Sequence, residues 1–513
     1  MNIQEAVPLS SNNRRLVINT LLAGIILILG IYLRLIALDW GLPDRTHRWS
    51  YRTDESSYLL MLKEMNPLHG DFISESFGPK IGSGILWPYG ALILIAHSTG
   101  ILEAHSSLEW YRQNPGELGK IYFVGRLLVA FMGIFTVVMT FILAKRAFGI
   151  ESAYWSSALL AVAAGHVQNS HFLLADVPAA CIVICSIILL DLALSNPEKM
   201  RSFSFFVGAT FAYAVAIKVT VSVMGIAILG VMFAKNKINI TFKQIWIPAV
   251  IGFLLALPIF HPALLDINLI NRDVTIVENL NKHAYTSLSQ MCKVASDGLV
   301  WSISPIGIFL WIIGAATVLW HRHRLGIIFV LASFPMAVVM MATGLNQMQR
   351  WSPLLPFICL LAPAPLQWFS KRSALILRSF LFAMLIINFL WSMAWVEELK
   401  QYPIHSESRD WIHSHLPAGT SIGVAQWLFL PQIDVNRYHI IRITGPQADK
   451  VFTEPEYFLV GEYDFEGVKA KLEDFEIYNI WRRTPQFLGL SYSPPIGADA
   501  RFICPTIYLF KRK

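Results

Sequence analysis

The sequence predicts a polytopic α-helical membrane protein with a small extracytoplasmic α/β domain at its C-terminal end. Composition is the first observation behind this: 513 residues are 55% hydrophobic and only 15% charged, with a mean hydropathy of +0.51. A water-soluble domain of that size would need far more polar surface. The second is segregation, because polar residues gather at segment ends, in 39–83, in 261–297 and after 395. The third is that apolar runs long enough to cross hydrocarbon recur as far as residue 395 and then stop.

The first span, residues 16–38, follows Arg14-Arg15 and carries one charge, Arg34, near its far end. At about 1.5 Å per residue it crosses roughly 30 Å of hydrocarbon, and a long arginine side chain reaches back to the interface. It has no small-residue cleavage pattern and reads as a retained anchor. Further spans are expected near 84–99, 121–144, 152–169, 178–194, 203–234, 245–260, 299–319, 325–342, 352–369 and 374–395, about eleven to twelve crossings in all. Lys218 interrupts the 203–234 stretch, which is either two short crossings joined near the lysine or one broken, tilted helix.

Charge orients the second half. The turns His321-Arg322-His323-Arg324 and Lys371-Arg372 belong in the cytoplasm by the positive-inside tendency, which places 261–298, 343–351 and everything after 395 on the other side. The first half is open. If 84–99 crosses fully, alternation puts Lys145-Arg146 outside, so that segment is re-entrant, or 101–120 hides another element, or the charge rule fails there. The net charge of +7 is dispersed at turns, which suits cytoplasmic loops and anionic lipid and provides no basic stripe for nucleic acid. Cys181 and Cys185 share a helical face in an apolar run and read as small core residues rather than metal ligands. No cofactor is indicated, and no ligand cluster dedicated to a divalent cation is visible in the sequence.

Residues 396–513 change in character. Trp411, Ile412 and Leu416 mark a short amphipathic helix that Pro417-Ala418-Gly419 stops. Strands are expected from Ser421 to Ala425, at 457–460, 477–480 and 507–510, with a helix over 465–475. The implied division is a transmembrane unit over 1–395, with outer loops 39–83 and 261–298, and a mixed α/β domain over 396–513.

Chemistry is suggested first by Asp54-Glu55, two adjacent acids in the first outer loop, ahead of an amphipathic stretch whose Tyr58, Leu59, Leu62 and Met65 suit a bilayer surface. A carboxylate there can accept a proton from an acceptor hydroxyl while a sugar is displaced from a phosphate leaving group. The alternative is that both acids solvate the loop and cap the following helix. Asp176 precedes Pro178 at a helix start, where an acid is favoured by the helix dipole in any case. Lys218 is either a cation for lipid phosphate or a membrane-boundary lysine. Ser83 and its neighbouring glycines form no nucleotide-binding loop.

The blocks YLRLIALDWGLP (32–43), YRTDE (51–55), GRLLVAFMGIFTVVMTFILAKRAFG (125–149), HVQNSHFLLADVP (166–178), AIKVT (216–220) and QRWSPLLPF (349–357) resemble, in that order, the polytopic glycosyltransferases of the C-type fold that use polyprenyl-phosphate sugars. The similarity is greatest to the branch containing protein O-mannosyltransferases and the lipid A aminoarabinose transferase. It implies that Asp54 is the catalytic acid of the first outer loop, that Glu55 supports it or orients the acceptor, and that Asp176 lies near the reaction centre. It implies a carrier-phosphate role for Lys218 and a phosphate or sugar contact for His171. Arg350 offers a planar fork matching phosphate oxygens, whereas Trp351 either stacks on a sugar or sits in the interfacial aromatic belt. His261, Arg272 and Lys80 are further candidates for substrate binding.

Relatives often have His-Pro where this chain has Arg52-Thr53, which bears on the subfamily rather than the family. The expected function is inverting transfer of a sugar from a polyprenyl-phosphate donor to a protein, glycan or glycolipid hydroxyl at the outer face of a bacterial inner membrane. A transporter or flippase of the same lipid-linked sugar is the competing class, because intramembrane ionisable groups also mark transport paths.

Overall fold

The computed structural model describes residues 11–65, 82–227, 242–268, 270–271, 287–342, 347–425, 430–442, 454–495 and 499–513. Lys80 and Arg272 lie outside the described residues. The helices are α1 (Ser11–Leu35), α2 (Glu55–Glu64), α3 (Leu86–Ser98), α4 (Leu108–Gln113), α5 (Pro115–Phe148), α6 (Ile150–Val162), α7 (Ala164–Asn169), α8 (Asp176–Ser195) and α9 (Met200–Ile217). They continue with α10 (Phe242–Phe260), α11 (Leu288–Ala295), α12 (Trp301–Trp320), α13 (Arg324–Ala342), α14 (Leu355–Leu361), α15 (Lys371–Leu399), α16 (Ile404–His415) and α17 (Glu462–Val468).

Among the described residues, seven helices are long and apolar enough to cross a membrane, and Asn19–Leu35 and Leu355–Gln367 are shorter apolar helices. Several of the eleven to twelve expected crossings thus fall on helices shorter than that length, or partly outside the described residues. Segment 84–99 contains the 13-residue α3, too short at about 1.5 Å per residue to cross the hydrocarbon. Segment 152–169 breaks at the extended Ala163 between α6 and α7 and is buried throughout apart from Tyr154, Trp155 and Ala158. Hydropathy alone does not separate buried helix pieces of this kind from spans.

The parity question is settled at Asp191, near the end of α8, which pairs with both Arg146 at the end of α5 and Arg324 at the start of α13. The basic ends 145–146 and 321–324 therefore lie together on one face, the inner one. The start of α5 is on the opposite, outer face, where Gly119 packs on the Pro43 carbonyl of the first loop. With the first loop and the start of α5 on one side, a single full crossing between them does not fit, which leaves the re-entrant alternative or a further element in 101–120.

At Lys218 the chain doubles back. α9 ends at Ile217, Lys218 is extended (φ −150°, ψ 109°), and a 3₁₀ stretch Val219–Gly225 follows. Gly225 then packs on the Phe211 ring, so 203–227, the described part of the stretch, is two arms joined at the lysine. α9 and α10 run parallel in close contact because Gly208 meets the Ala249 carbonyl and Gly252 meets the Phe205 carbonyl, where added Cβ atoms would stand at 1.8 and 2.1 Å. Small residues are what allow backbones this close inside a membrane.

Arg34 does not reach to the interface as expected. It is fully buried and donates to the carbonyls of Leu160 and Ala161 at 3.0 and 2.9 Å. A cation there adds donors to carbonyls at the C-terminal end of α6 and complements its dipole, which makes its burial tolerable.

The outer domain is built on a five-stranded sheet, order β2-β1-β3-β7-β4, formed by β1 (Ser421–Val424), β2 (His439–Arg442), β3 (Tyr457–Gly461), β4 (Phe475–Trp481) and β7 (Ile507–Arg512), with β5 (Gln486–Phe487) and β6 (Leu490–Ser491) as a separate hairpin. β1 pairs parallel with β2 and β3, whereas β7 runs antiparallel to β3 and β4. Both faces are covered: Ile422, Leu459 and Leu509 pack beside Ile404 and Ile412 of α16, and Phe458, Val460 and Phe510 pack beneath α17. The expected helix over 465–475 is instead α17 followed by a 3₁₀ turn at Lys469–Leu472, both preceding β4.

Candidate active site

The first outer loop is shaped before it carries any chemistry. Ala37 (φ 55°) and Gly41 (φ 60°) turn the chain after α1. Glycine is required at 41 because a Cβ there would stand 3.0 Å from the Tyr51 ring in an already left-handed backbone. Tyr51 is stacked between His47 and His405 at centroid distances of 4.3 and 4.5 Å, and its hydroxyl is bonded to that of Ser406 at 2.8 Å. The loop is thus clamped against the chain that leads into the outer domain. Tyr492 ties the outer domain to the helices instead: its hydroxyl accepts from Gln168 of α7 and donates to the Trp301 carbonyl of α12.

Where the loop enters α2, two adjacent carboxylates part ways. Glu55 is fully buried, and both its oxygens are taken by the guanidinium of Arg126, at 2.8 and 2.7 Å. Ser50 Oγ donates at 2.6 Å and the backbone amide of Leu173 at 2.8 Å. Arg126, also fully buried, donates in turn to the carbonyls of Leu38 and Trp40. Placed as a catalytic candidate by sequence, Glu55 has the geometry of an anchor that fastens α2, α5 and the 166–178 block together. Bidentate charge pairing of this kind makes its burial tolerable.

Asp54, one residue earlier, keeps 44% of its side chain exposed and meets Arg52 Nη2 at 3.3 Å. It stands at the N-cap of α2 in helical conformation and makes no side-chain capping bond, so the capping role is not what the structure gives it. Arg52 is buried between the rings of Phe172 and Phe502, 5.4 and 4.6 Å from their centroids, and donates to Gln349 Oε1 at 2.6 Å. One guanidinium therefore joins the first loop, the 166–178 block, the turn at Gln349 and the outer domain.

A second charged group lies close by. Asp176, buried at the start of α8, is paired with Lys218, and Lys218 is within electrostatic reach of Arg350 and Asp54. The Tyr58 hydroxyl accepts from the amide of Ala175 at 3.1 Å. Lys218 is held in place by the 82–84 turn: added Cβ atoms at Gly82 and Gly84 would stand 1.8 and 2.8 Å from Ala216 backbone atoms, and Ser83 Oγ donates to the Phe260 carbonyl beside His261. Arg350 Nε donates to Gln347 Oε1 at 2.9 Å. Asp54, Asp176, Lys218 and Arg350 are thus gathered on the outer side, four separate parts of the chain contributing to one charged neighbourhood.

Other expectations are corrected. His171, expected to meet phosphate or sugar, is buried with its ring nitrogens against the carbonyls of Val167 and Ile36, at 2.8 and 3.1 Å, and packs edge-on to Trp395. Trp351 is fully buried against Gly298, so its ring packs inside the protein rather than at an exposed surface. His261 is likewise buried, where the chain turns out of α10. The apolar face of α2 packs inward through Tyr58, Leu59, Met61 and Met65 rather than onto a bilayer, and Leu62 meets Gly90 of α3. Among the described residues no group of three or more His, Cys, Asp or Glu is disposed to hold a metal ion.

Sequence reasoning missed Arg126 and Arg52. Arg126 had a usable signal, an ionisable residue inside an apolar run, which is rarely placed there without a partner. Arg52 had none beyond its departure from the His-Pro of relatives.

Comparison with known proteins agrees with this architecture. Residues 117–265 match the family model of dolichyl-phosphate-mannose-protein mannosyltransferase. The structure of ArnT from Cupriavidus metallidurans in the apo state aligns over 98% of this chain and 98% of its own, with 13% identity and a TM-score of 0.50. The same protein bound to undecaprenyl phosphate aligns over 96% and 97%, with 13% identity and a TM-score of 0.48. No curated protein matches the chain by sequence. The chain has the C-type glycosyltransferase fold that its sequence resembles, and the match to that mannosyltransferase family model runs from α5 to the turn after α10.

Proposed function

We propose that the protein transfers a sugar from a polyprenyl-phosphate donor to a hydroxyl group at the outer face of the membrane, with inversion at the anomeric carbon. The observation that carries this reading is the placement of an exposed carboxylate, Asp54, in one charged neighbourhood with Lys218 and Arg350. In this reading Asp54 takes the proton of the acceptor hydroxyl as its oxygen attacks the anomeric carbon. The bond from that carbon to the carrier phosphate breaks on the opposite side, and the departing phosphate's charge is met by Lys218 and Arg350. Asp176 fixes Lys218, Arg52 positions Asp54, and Glu55 keeps the loop in place through Arg126.

The donor arrives from the lipid, which makes a nucleotide pocket unnecessary. Hexosyl and pentosyl donors both suit a frame that reads the phosphate, and a protein, a glycan or a cell-envelope glycolipid serves as acceptor. A bacterial inner membrane, with the outer domain in the periplasm, fits the charge distribution. The test is incubation of the purified protein with a panel of polyprenyl-phosphate sugars and a mixed acceptor extract. Release of polyprenyl phosphate coupled to acceptor glycosylation, abolished in Asp54→Asn, is expected; transport of intact donor across vesicles without release would replace this reading with a flippase.

A further inference from the structure

At the inner end of the bundle, a cavity of about 470 Å³ is bordered by Arg146, Asp191, Ser195, His323, Arg324 and Leu325. Three membrane-crossing helices meet there: α5 contributes Arg146 from its last turn, α8 contributes Asp191 and Ser195, and α13 begins at Arg324. Asp191 is nearly buried and accepts from both guanidinium groups, whose side chains remain 36% and 27% exposed. Each arginine has five N–H donors, so one carboxylate leaves donors on both for a further anion. Two cations against one anion also leave the lining with a net positive charge. His323 is already committed, since its Nδ1 accepts from the amide of Gly326 at 3.1 Å.

We propose that this cavity is a headgroup site for an anionic phospholipid of the inner leaflet, its phosphate held by the Ser195 hydroxyl and by the donors of Arg146 and Arg324 that Asp191 leaves open. Basic pockets between membrane helices on the cytoplasmic side take such headgroups. Free phosphate shares the chemistry, but the surroundings favour a lipid: beside the 321–324 turn, Leu319 and Trp320 at the end of α12 are 48% and 85% exposed, giving an acyl chain an apolar surface next to the charged cavity. The site lies at the opposite end of α8 from Asp176 and is independent of the transfer reaction.

The experiment follows the thermal midpoint of the full-length protein in neutral detergent during titration with phosphatidylglycerol, phosphatidylcholine or inorganic phosphate, because a ligand of the folded state raises that midpoint by mass action. A saturable rise with phosphatidylglycerol alone is expected. Arg146→Gln and Arg324→Gln should each weaken the half-saturating concentration about tenfold or more, the loss typical of a charge-assisted contact. Asp191→Asn, which removes the carboxylate that competes for the same donors, should tighten it, so variants of opposite sign keep the test sound if one of them folds poorly. An equal response to phosphatidylcholine, a rise reproduced by inorganic phosphate alone, or unchanged titrations in all three variants would overturn the lipid site.

Discussion

The two ends of α8 each hold a carboxylate in an ion pair, and they are built differently. Asp176 stands in the first turn, where the helix dipole already favours a negative charge, and a single lysine completes it. Asp191 stands near the last turn, where the dipole opposes it, and two arginines from two other helices converge on it. At the outer end the cation, Lys218, sits at a chain reversal within reach of Arg350 and the exposed Asp54. At the inner end the partners come from the last turn of α5 and the first residue of α13. One end is arranged around a cation that other charges can reach, the other around an anion that binds three helices together. Similar ion pairs in one helix thus differ in which partner the surroundings leave available.

The sharpest way to break this contrast is Asp54→Asn. If the outer end is the reaction centre, turnover with saturating polyprenyl-phosphate sugar should fall by a factor on the order of 100 to 10,000, the loss expected for a positioned general base. Retained donor binding would separate lost chemistry from lost folding. Turnover within threefold of the unaltered protein would remove Asp54 from the mechanism and leave the outer pair without a task. Glu55→Ala should act on folding instead. It strands Arg126 in a buried site and should lower stability by about 3–5 kcal/mol, read as a lower melting temperature and poor recovery from detergent, with any folded fraction keeping its donor affinity.

Lys218→Ala and Arg350→Ala test the outer end from the cation side. Each removes a charge-assisted contact worth roughly 1.5–3 kcal/mol, or about 10- to 150-fold in use of the donor. They should differ in kind: Lys218, at the chain reversal beside α9, should affect donor affinity, whereas Arg350 should slow departure of the phosphate. Donor titrations at fixed acceptor separate the two, and unchanged affinity together with unchanged turnover in both would sink the phosphate role.

How much of this was legible in sequence follows from what each feature depends on. The break at Lys218 could be read because a lysine inside an apolar run is costly wherever it is placed, and the outer domain could be read because hydropathy ends abruptly at residue 395. The strands at 421–424, 457–461, 475–481 and 507–512 agree with their apolar runs, whereas β2 at 439–442 was missed because it is half exposed at the sheet edge. Burial of His171, His261 and Trp351 was not legible, since motif position places a residue near a site without saying which way its side chain points. The different fates of Asp54 and Glu55 have the same cause. Adjacent residues at a helix start point about 100° apart, and only the position of Arg126, 71 residues further on, decides which of them is buried.

The smallest effect is expected at the inner end, and it sharpens the contrast most directly. Asp191→Asn leaves Arg146 and Arg324 facing each other without a counter-charge, but both are about one-third exposed, so water and salt absorb much of the cost. Partly exposed pairs are worth around 0–1 kcal/mol each, and the loss should be about 1 kcal/mol at low salt. It should shrink as ionic strength rises and the Debye length falls from roughly 10 Å at 0.1 M to 3 Å at 1 M. The buried Glu55–Arg126 pair has no such access to solvent, so the deficit of Glu55→Ala should hardly change over the same range. Melting curves of both variants in low and high salt decide it: parallel salt dependence would mean that the inner cluster is as closed to solvent as the outer anchor, and the distinction between the two ends would fail.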